Sequence, residues 1–165
     1  MADERAAALQ AKRGWDSNFR QFQSIQRSAI LDSLCRAYPD TSVQERASWR
    51  DSVPKLQREI REIVDVNLEA TRFTAILEYQ LPMDSRRADA VLLLRDRVVV
   101  IELKGKRWPT DADIDQAHAY ARDLRCYHRD CHDRPVDAVL VPTRLHGEEA
   151  SDRNVNICGP DALDG

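Results

Sequence analysis

The amino-acid sequence predicts an α/β protein in which helices pack around a mixed β-sheet. Two short apolar runs, at residues 90–94 and 98–101, are separated only by the polar link 95–97. Each run is too short for a helix of a globular protein and is rich in Val, Leu and Ile, which indicates two antiparallel strands joined by a tight turn. A third such run, at 135–142, follows only after a long interval. A strand parallel to its neighbour requires a crossover of that kind.

Composition limits the possible classes of function. A chain of 165 residues fits one domain, and 32% charged residues beside clear aliphatic runs are typical of a globular protein. The formal net charge of −3 gives no overall basic field, so a nucleic acid would have to be held by local patches. We find no apolar run long enough to span a bilayer, no signal-peptide pattern, and four scattered cysteines. These features predict a cytoplasmic protein with reduced thiols and no membrane partner, and they leave its oligomeric state open.

Helical spacing predicts that the N-terminal third of the chain is helical. The apolar residues that recur at this spacing are Trp15, Phe19, Phe22, Ile25, Ala29, Ile30 and Leu34. Pro39 ends this helix, because the residue before a proline is disfavoured in the α conformation. Ser42 and Glu45 have the form of a capping box that starts another helical segment, and Ser52 with Pro54 marks a restart.

The chain is therefore divided into an N-terminal helical extension, 1–52, and a core, 53–165, within one compact domain. Alternating apolar and polar residues over 72–81 predict a strand that leads into a turn at 82–85. The paired strands described above follow this turn. A last strand is expected at 154–158, after a charged loop.

A helix is predicted between the paired strands and the strand at 135–142. Asp111 or Asp113 caps this helix, which runs to about residue 130. Its buried stripe comprises Ile114, Ala117, Ala121 and Leu124. Gln116 and Tyr120, which are four positions apart, share a neighbouring face of the helix.

Charged residues occur at one end of the two central strands, where they are costly. Asp89 opens the first strand, and Glu102 and Lys104 close the second. Because side chains alternate along a strand, Glu102 and Lys104 point to the same face. An antiparallel pair places the start of one strand beside the end of the next, so Asp89 should lie close to both. Two carboxylates and an ammonium group in one place indicate a metal-dependent active site.

The chemistry of phosphodiester cleavage requires these residue types. Mg²⁺, or Mn²⁺ in its place, prefers one or two carboxylates together with waters and phosphate oxygens. Asp89 and Glu102 supply the carboxylates, and the carbonyl of Leu103 could complete the shell. Lys104 could hold the attacking water or stabilise the developing charge. Glu78, on the preceding strand, binds the metal directly, binds it through water, binds a second ion, or is an ordinary strand residue.

Several other residues have two interpretations each. Gln116 and Tyr120 either orient Lys104 or a phosphate, or simply form a helix surface. Trp108 lies on the loop after the second central strand, where it either stacks on a base or covers the sheet edge. The pair Arg86-Arg87 could contact phosphates.

The element order and these motifs resemble the PD-(D/E)xK nuclease superfamily. The matching residues are Asp89, the E-L-K run at 102–104, and Q-A-H-A-Y at 116–120, which is similar to the Q-x-x-x-Y helix of its exonuclease-like branches. More narrowly, residues from about 46 to 143 resemble the nuclease-like domain that precedes P-loop helicases of the Schlafen group in bacteria. Asp89 follows Arg-Ala rather than proline, and no P-loop motif occurs in the chain.

The resemblance implies a restriction-endonuclease-like core, consisting of a helix, a three-stranded antiparallel meander, a crossover helix and a further strand. It implies a metal-dependent nuclease that acts on DNA more than on RNA. It also implies a possible helicase or ATPase domain or partner, in genome maintenance or phage defence. The alternative is a catalytically inactive module that kept the fold and binds nucleic acid or another protein.

Overall fold

The computed structural model describes residues 12–81, 85–147 and 149–163. In this part of the chain, helices lie on both faces of one seven-stranded mixed sheet, which confirms the predicted α/β class. The strands are β1 (Trp15–Asn18), β2 (Thr74–Gln80), β3 (Arg87–Leu93), β4 (Val98–Lys104), β5 (Val136–Pro142), β6 (Glu149–Asp152) and β7 (Val155–Cys158). The α-helices are α1 (Phe19–Ser24), α2 (Arg27–Ala37), α3 (Val43–Val66) and α4 (Asp111–Tyr127). None of the described helices is both long and apolar enough to cross a membrane.

The strand order in the sheet is β1-β2-β3-β4-β5-β7-β6. Strands β1, β2, β3 and β4 form successive antiparallel pairs, β4 is parallel to β5, and β5 is parallel to β7. Strand β6 pairs antiparallel with β7 at the edge of the sheet. Helix α4 forms the crossover between β4 and β5. The predicted hairpin of β3 and β4 and the predicted parallel strand after it are therefore both confirmed. Strand β4 is central, because it has a partner on each side.

Each face of the sheet carries its own apolar core. Helices α1, α2 and α3 pack on one face, where Phe19, Phe22 and Ile30 are completely buried. Helix α4 packs on the other face, where its predicted stripe is buried against β4 and β5. The residues of that stripe are Ile114, Ala117, Ala121 and Leu124. Since apolar layers cover both faces, the central strands need apolar residues on both sides, which explains their continuous apolar runs.

The single N-terminal helix predicted from Trp15 to Leu34 is wrong. The segment forms a strand and two helices instead, and Asn18 begins α1 by accepting a hydrogen bond from the amide of Gln21 at 2.8 Å. Strand β1 pairs with β2, and this pairing is invisible to local spacing. Residues 25 and 26 are extended and separate the two helices. The helical spacing persists because both helices turn their apolar side chains toward the same core.

Helix α3 begins at the predicted capping box, in which Ser42 and Glu45 each bond the other's backbone amide. The predicted restart at Ser52 and Pro54 is wrong, because α3 continues through Pro54 to Val66. An interior proline costs about 3 kcal/mol. Burying an apolar side chain contributes about 1.5–3 kcal/mol, and α3 buries several. Those residues are Trp49, Val53, Leu56, Ile60 and Val64. The division at residues 52 and 53 therefore lies inside a continuous helix.

The remaining boundaries differ from the sequence predictions in smaller ways. Thr110, rather than Asp111 or Asp113, caps α4 and forms a capping box with Asp113. The helix ends at Tyr127 instead of about residue 130. Strand β7 confirms the last predicted strand, while β6 lies in what was predicted to be a loop. Residues 82–84 of the predicted turn, and residues 1–11 of the predicted extension, lie outside the described residues.

Candidate active site

The register of β3 and β4 brings Asp89 next to the end of β4. Ala90 pairs with Ile101, and the pairing extends from there toward the turn. Beyond this pair, the amide of Leu103 donates its hydrogen bond to a side chain of β3 and not to its backbone. The acceptor is Oδ2 of Asp89, at 2.7 Å. Strand β4 meanwhile remains paired with β5 as far as Lys104. The two strands of the hairpin therefore part at Asp89, and the opening is bordered by Asp89 and the last residues of β4.

A hydrogen-bonded chain joins β4 to helix α4. Nζ of Lys104 donates to Oε1 of Glu102 at 2.8 Å and to Oε1 of Gln116 at 3.0 Å. Nε2 of Gln116 donates to the same Glu102 oxygen at 2.8 Å and to the hydroxyl of Tyr120 at 2.6 Å. Four of the residues predicted from the sequence are thus in direct contact. Tyr120 is buried, so it does not belong to an exposed helix surface.

Among the residues that the structure describes, none forms a hydrogen bond with the second oxygen of Glu102. Glu102 is buried, and its Oε2 is an inaccessible oxygen without a hydrogen bond. Burial raises the pKa of Glu102, and the neighbouring charge of Asp89 raises it further. Burial also raises the pKa of Asp89, against the lowering effect of the Leu103 amide. An unpaired buried oxygen is expensive, so this arrangement favours a positively charged ligand beside the two carboxylates.

The surroundings of Lys104 affect the pKa of its side chain in opposite directions. Burial lowers the pKa of its ammonium group, but the charge of Glu102, their hydrogen bond and the charge of Asp89 outweigh burial and raise the pKa overall. Lys104 therefore stays protonated at neutral pH. It supplies one positive charge beside two carboxyl groups whose pKa values are raised.

Glu78 lies on β2 and is held by two side chains. Its Oε1 accepts from Nε1 of Trp49 at 2.7 Å, and its Oε2 faces Nε of Arg87 at 3.1 Å. Its backbone carbonyl accepts from the hydroxyl of Tyr38 at 2.6 Å. Burial raises the pKa of Glu78 to about 7, and the charge of Asp89 adds to the effect. Each carboxylate oxygen of Glu78 therefore has one partner within the chain, and these contacts fix the position of the side chain.

Arg86 and Arg87 contact carboxylates of the chain itself. Arg87 pairs with Glu45 at 2.8 Å as well as with Glu78, and its guanidinium lies 4.1 Å from the centroid of the Tyr38 ring. Arg86 pairs with Asp123 at 3.1 Å. The predicted phosphate patch is therefore already tied to acidic side chains on both faces of the sheet.

A polar cleft of about 320 Å³ lies beside the carboxylates of Glu78, Asp89 and Glu102. Its lining comprises Glu45, Ser48, Trp49, Ser52, Glu78, Ser85, Arg86, Arg87, Asp89, Glu102 and Gln116. One wall comes from the first half of α3, which the sequence did not assign to the site. Its capping box located the start of α3 but carried no information on which strand that helix faces. Trp49 in particular is 29 positions from Glu78, so no local pattern could have linked them.

A hard divalent cation fits the donors at this cleft. Among residues 12–81, 85–147 and 149–163, no group of three or more His, Cys, Asp or Glu side chains forms a metal site. Mg²⁺ needs fewer, because it is usually bound through one or two carboxylates and keeps several waters. Asp89 and Glu102 provide those carboxylates, and Glu102 offers the unpartnered oxygen. The carbonyl of Leu103 remains a predicted ligand, as does Glu78.

Comparisons of the chain with models of known protein families, with curated proteins and with solved structures find no match. The chemistry of the site is therefore what indicates the function of this chain. Its essential elements are the buried carboxylate of Glu102, the partly buried carboxylate of Asp89, a lysine bonded to Glu102, and a glutamine that contacts both the lysine and Glu102.

Proposed function

We propose that this chain is a metal-dependent nuclease of the PD-(D/E)xK type. The observation that carries the proposal is the cluster of Asp89, Glu102 and Lys104 where β3 and β4 part, with one oxygen of Glu102 buried and without a hydrogen bond. A module that only binds has no need of two crowded carboxylates whose pKa values are raised. Such a cluster is expected at a catalytic site, because perturbed titration is concentrated there.

The order of elements supports a restriction-endonuclease-like core. Helix α3 precedes the antiparallel strands β2, β3 and β4, and helix α4 crosses over to the parallel strand β5. This is the order that the resemblance implies. The N-terminal strand β1 and helices α1 and α2 are then an addition at the β2 side of the sheet.

Asp89 and Glu102 would hold Mg²⁺ or Mn²⁺, with the carbonyl of Leu103 as a further donor. A bound divalent ion lowers the pKa of a water molecule and neutralises charge on a phosphate. The chain contributes the position of these ligands. Asp89 is fixed by the Leu103 amide, and Glu102 is fixed on its Oε1 side by Lys104 and Gln116.

Lys104 would act on the reacting phosphate. Its ammonium group is anchored by Glu102 and Gln116, so one of its three donors remains for the attacking water or for a phosphate oxygen. Gln116 orients Lys104, and Tyr120 orients Gln116 through a 2.6 Å hydrogen bond. Preorganised donors of this kind stabilise charge that develops only in the transition state.

Nucleic acid is the proposed substrate, with DNA ahead of RNA. A helicase or ATPase, on the same chain or as a partner, is proposed from the sequence resemblance alone. The polar lining of the cleft, with three serine hydroxyls, is compatible with phosphate and sugar contacts.

The proposal is tested by incubating the purified protein with plasmid, linear duplex and single-stranded substrates, with Mg²⁺, with Mn²⁺ and with EDTA. Cleavage should require the divalent ion and be abolished in Asp89→Ala and Glu102→Ala. Asp96→Ala is the matched control, because Asp96 is an exposed acid in the turn at the far end of the same hairpin. Cleavage that is unchanged in either site variant would remove that residue from the mechanism. Binding of nucleic acid without any cleavage would favour the inactive binding module.

A further inference from the structure

We propose that the loop at 105–110 binds an unpaired base of the substrate by stacking it on Trp108. The site would then act on single-stranded nucleic acid or on frayed ends. This inference rests on the proposed function for the identity of the substrate, but base binding can be measured without cleavage. Trp108 is 56% exposed, which argues against the alternative that its ring covers the edge of the sheet.

The loop that carries Trp108 is fastened on both sides. The carbonyl of Lys104 accepts from the amide of Lys106 at 2.7 Å, and the carbonyl of Lys106 accepts from the amide of Arg144 at 3.2 Å. Nζ of Lys106 contacts Oδ2 of Asp113 at 2.7 Å, in the first turn of α4. Trp108 therefore lies on a loop that is anchored two residues earlier, at Lys106. A loop that is already ordered loses less conformational entropy when a ligand binds to it.

Trp108 lies at the same edge of the sheet as the candidate active site. It follows Lys104 by four residues, so their Cα atoms are at most about 14 Å apart. The helix that begins directly after this loop carries Gln116, which bonds Lys104. A short single-stranded stretch could therefore span from a phosphate at Lys104 to a base at Trp108.

The charges around Trp108 suit a nucleotide. The guanidinium of Arg107 lies 5.4 Å from the centroid of the Trp108 ring. Among the described residues, Arg107 forms no ion pair with a carboxylate, so its charge beside the ring is available to a phosphate. An aromatic face next to cationic groups is the combination by which proteins bind single strands, and every base has a face to stack. In a duplex, these faces are covered by neighbouring base pairs except at the ends.

The test measures binding in EDTA, with a labelled thymidylate oligonucleotide and a matched abasic chain that has the same number of phosphates. The wild-type protein should prefer the thymidylate chain by about 5-fold to 150-fold, the equivalent of about 1–3 kcal/mol per stacked base. Trp108→Ala should bind both chains equally, and Trp108→Phe should retain most of the preference. The control is Tyr127→Ala, since Tyr127 is 62% exposed at the other end of α4, about 24 Å away along the helix.

The outcomes separate this inference from the proposed function. A preference for bases that persists in Trp108→Ala, or that is lost equally in Tyr127→Ala, would overturn the role of Trp108 even if the protein cleaves nucleic acid. The same holds if neither chain binds. A Trp108-dependent preference without cleavage under any divalent ion would uphold the stacking site and contradict the nuclease.

Discussion

Glu78 and Asp89 lie opposite each other on β2 and β3. On both strands, the regular alternation of side chains between the two faces of the sheet is interrupted at these two residues. Leu77 pairs with Ala90, and Tyr79 pairs with Ala88. Period-two alternation would put Leu77 and Tyr79 on one face, yet Leu77 packs in the core under α1–α3 and Tyr79 in the core under α4. Ala90 and Ala88 are divided in the same way. The two acids therefore occupy a place where the regular pleat of the sheet is interrupted.

The interruption has a visible backbone cause. Glu78 has a φ of 51°, in the left-handed region that non-glycine residues rarely adopt. Tyr38 holds the Glu78 carbonyl, and Trp49 and Arg87 hold its side chain, so several contacts maintain a conformation that costs about 1–3 kcal/mol. Strained backbone conformations that are maintained by surrounding contacts occur most often at functional sites.

The left-handed conformation of Glu78 predicts that glycine at this position is more stable than alanine, the reverse of the usual order within a strand. Both Glu78→Gly and Glu78→Ala remove the carboxylate, but only alanine keeps the backbone penalty, so the glycine variant should be more stable by about 1 kcal/mol. At Thr74, on the same strand, alanine should instead be more stable than glycine by about 0.5–1 kcal/mol. Urea denaturation midpoints of the four variants provide the measurement. Alanine more stable than glycine at both positions would show that Glu78 carries no backbone strain.

The raised carboxylate pKa values predict that the metal-free protein loses stability as the pH rises. A carboxyl group whose pKa is higher in the folded state binds protons more tightly there, so its stabilising effect is present at low pH and is lost as pH increases. For Glu78 the loss falls between its ordinary pKa of 4.5 and about 7, for Glu102 it extends to about 8, and Asp89 acts in the same direction. Urea denaturation in EDTA at several pH values across this whole range measures the slope.

Two variants and one addition identify the groups responsible. Glu78→Gln and Glu102→Gln should each flatten the fall in unfolding free energy, because an amide does not titrate. Mg²⁺ should restore stability mainly at the upper end of the range, where the carboxylates are charged. Asp96→Asn should keep the wild-type slope, since Asp96 is exposed in the β3–β4 turn. A slope that neither glutamine variant changes would assign the pH dependence to other groups.

The central strands of the sheet could be predicted from the sequence, but the surroundings of their acidic residues could not. The runs around Val91 and Val100 are apolar on both faces, so they identified central strands, and antiparallel pairing then brought Asp89 to the end of β4. Local spacing could not distinguish strand Trp15–Asn18 from a helix, because its partner lies more than fifty residues further along the chain. The contacts of Glu78 with Tyr38 and Trp49 depend on how α2 and α3 fold against β2. No pattern within those helices encodes that placement.

The contacts of Gln116 predict graded effects on cleavage. Gln116→Ala removes the bonds to Lys104 and Glu102 and should lower turnover by about 10²-fold, as the loss of a positioning contact does. Tyr120→Phe removes only the hydroxyl that accepts from Gln116, so it should cost less, on the order of 10-fold. Single-turnover rates at saturating substrate measure both effects. If Tyr120→Phe cleaves more slowly than Gln116→Ala, Tyr120 does not act through Gln116.

Lys104 is the residue at which a nuclease and a binding module differ most. As a catalytic group it stabilises charge that appears only as the phosphate is attacked, so Lys104→Ala should lower turnover by about 10²–10³-fold and leave substrate affinity nearly unchanged. Metal affinity should not fall, because Glu102 loses a competing cation. Lys104→Arg should not rescue cleavage, since the guanidinium is longer, planar and always charged, and the pocket between Glu102 and Gln116 fits an ammonium group.

A phosphate anchor at position 104 would behave differently in the same experiment. Lys104→Ala would then weaken binding and reduce the salt dependence of the binding constant by about one phosphate contact, and Lys104→Arg would restore both. Measuring binding and single-turnover cleavage for the two variants at two salt concentrations separates these cases. Lys104 already contacts Glu102 at 2.8 Å, so this carboxylate neutralises part of its positive charge. A partly neutralised lysine is a weak phosphate anchor, which favours the catalytic role. An arginine at position 104 that cleaves as fast as lysine would show that this assignment is wrong.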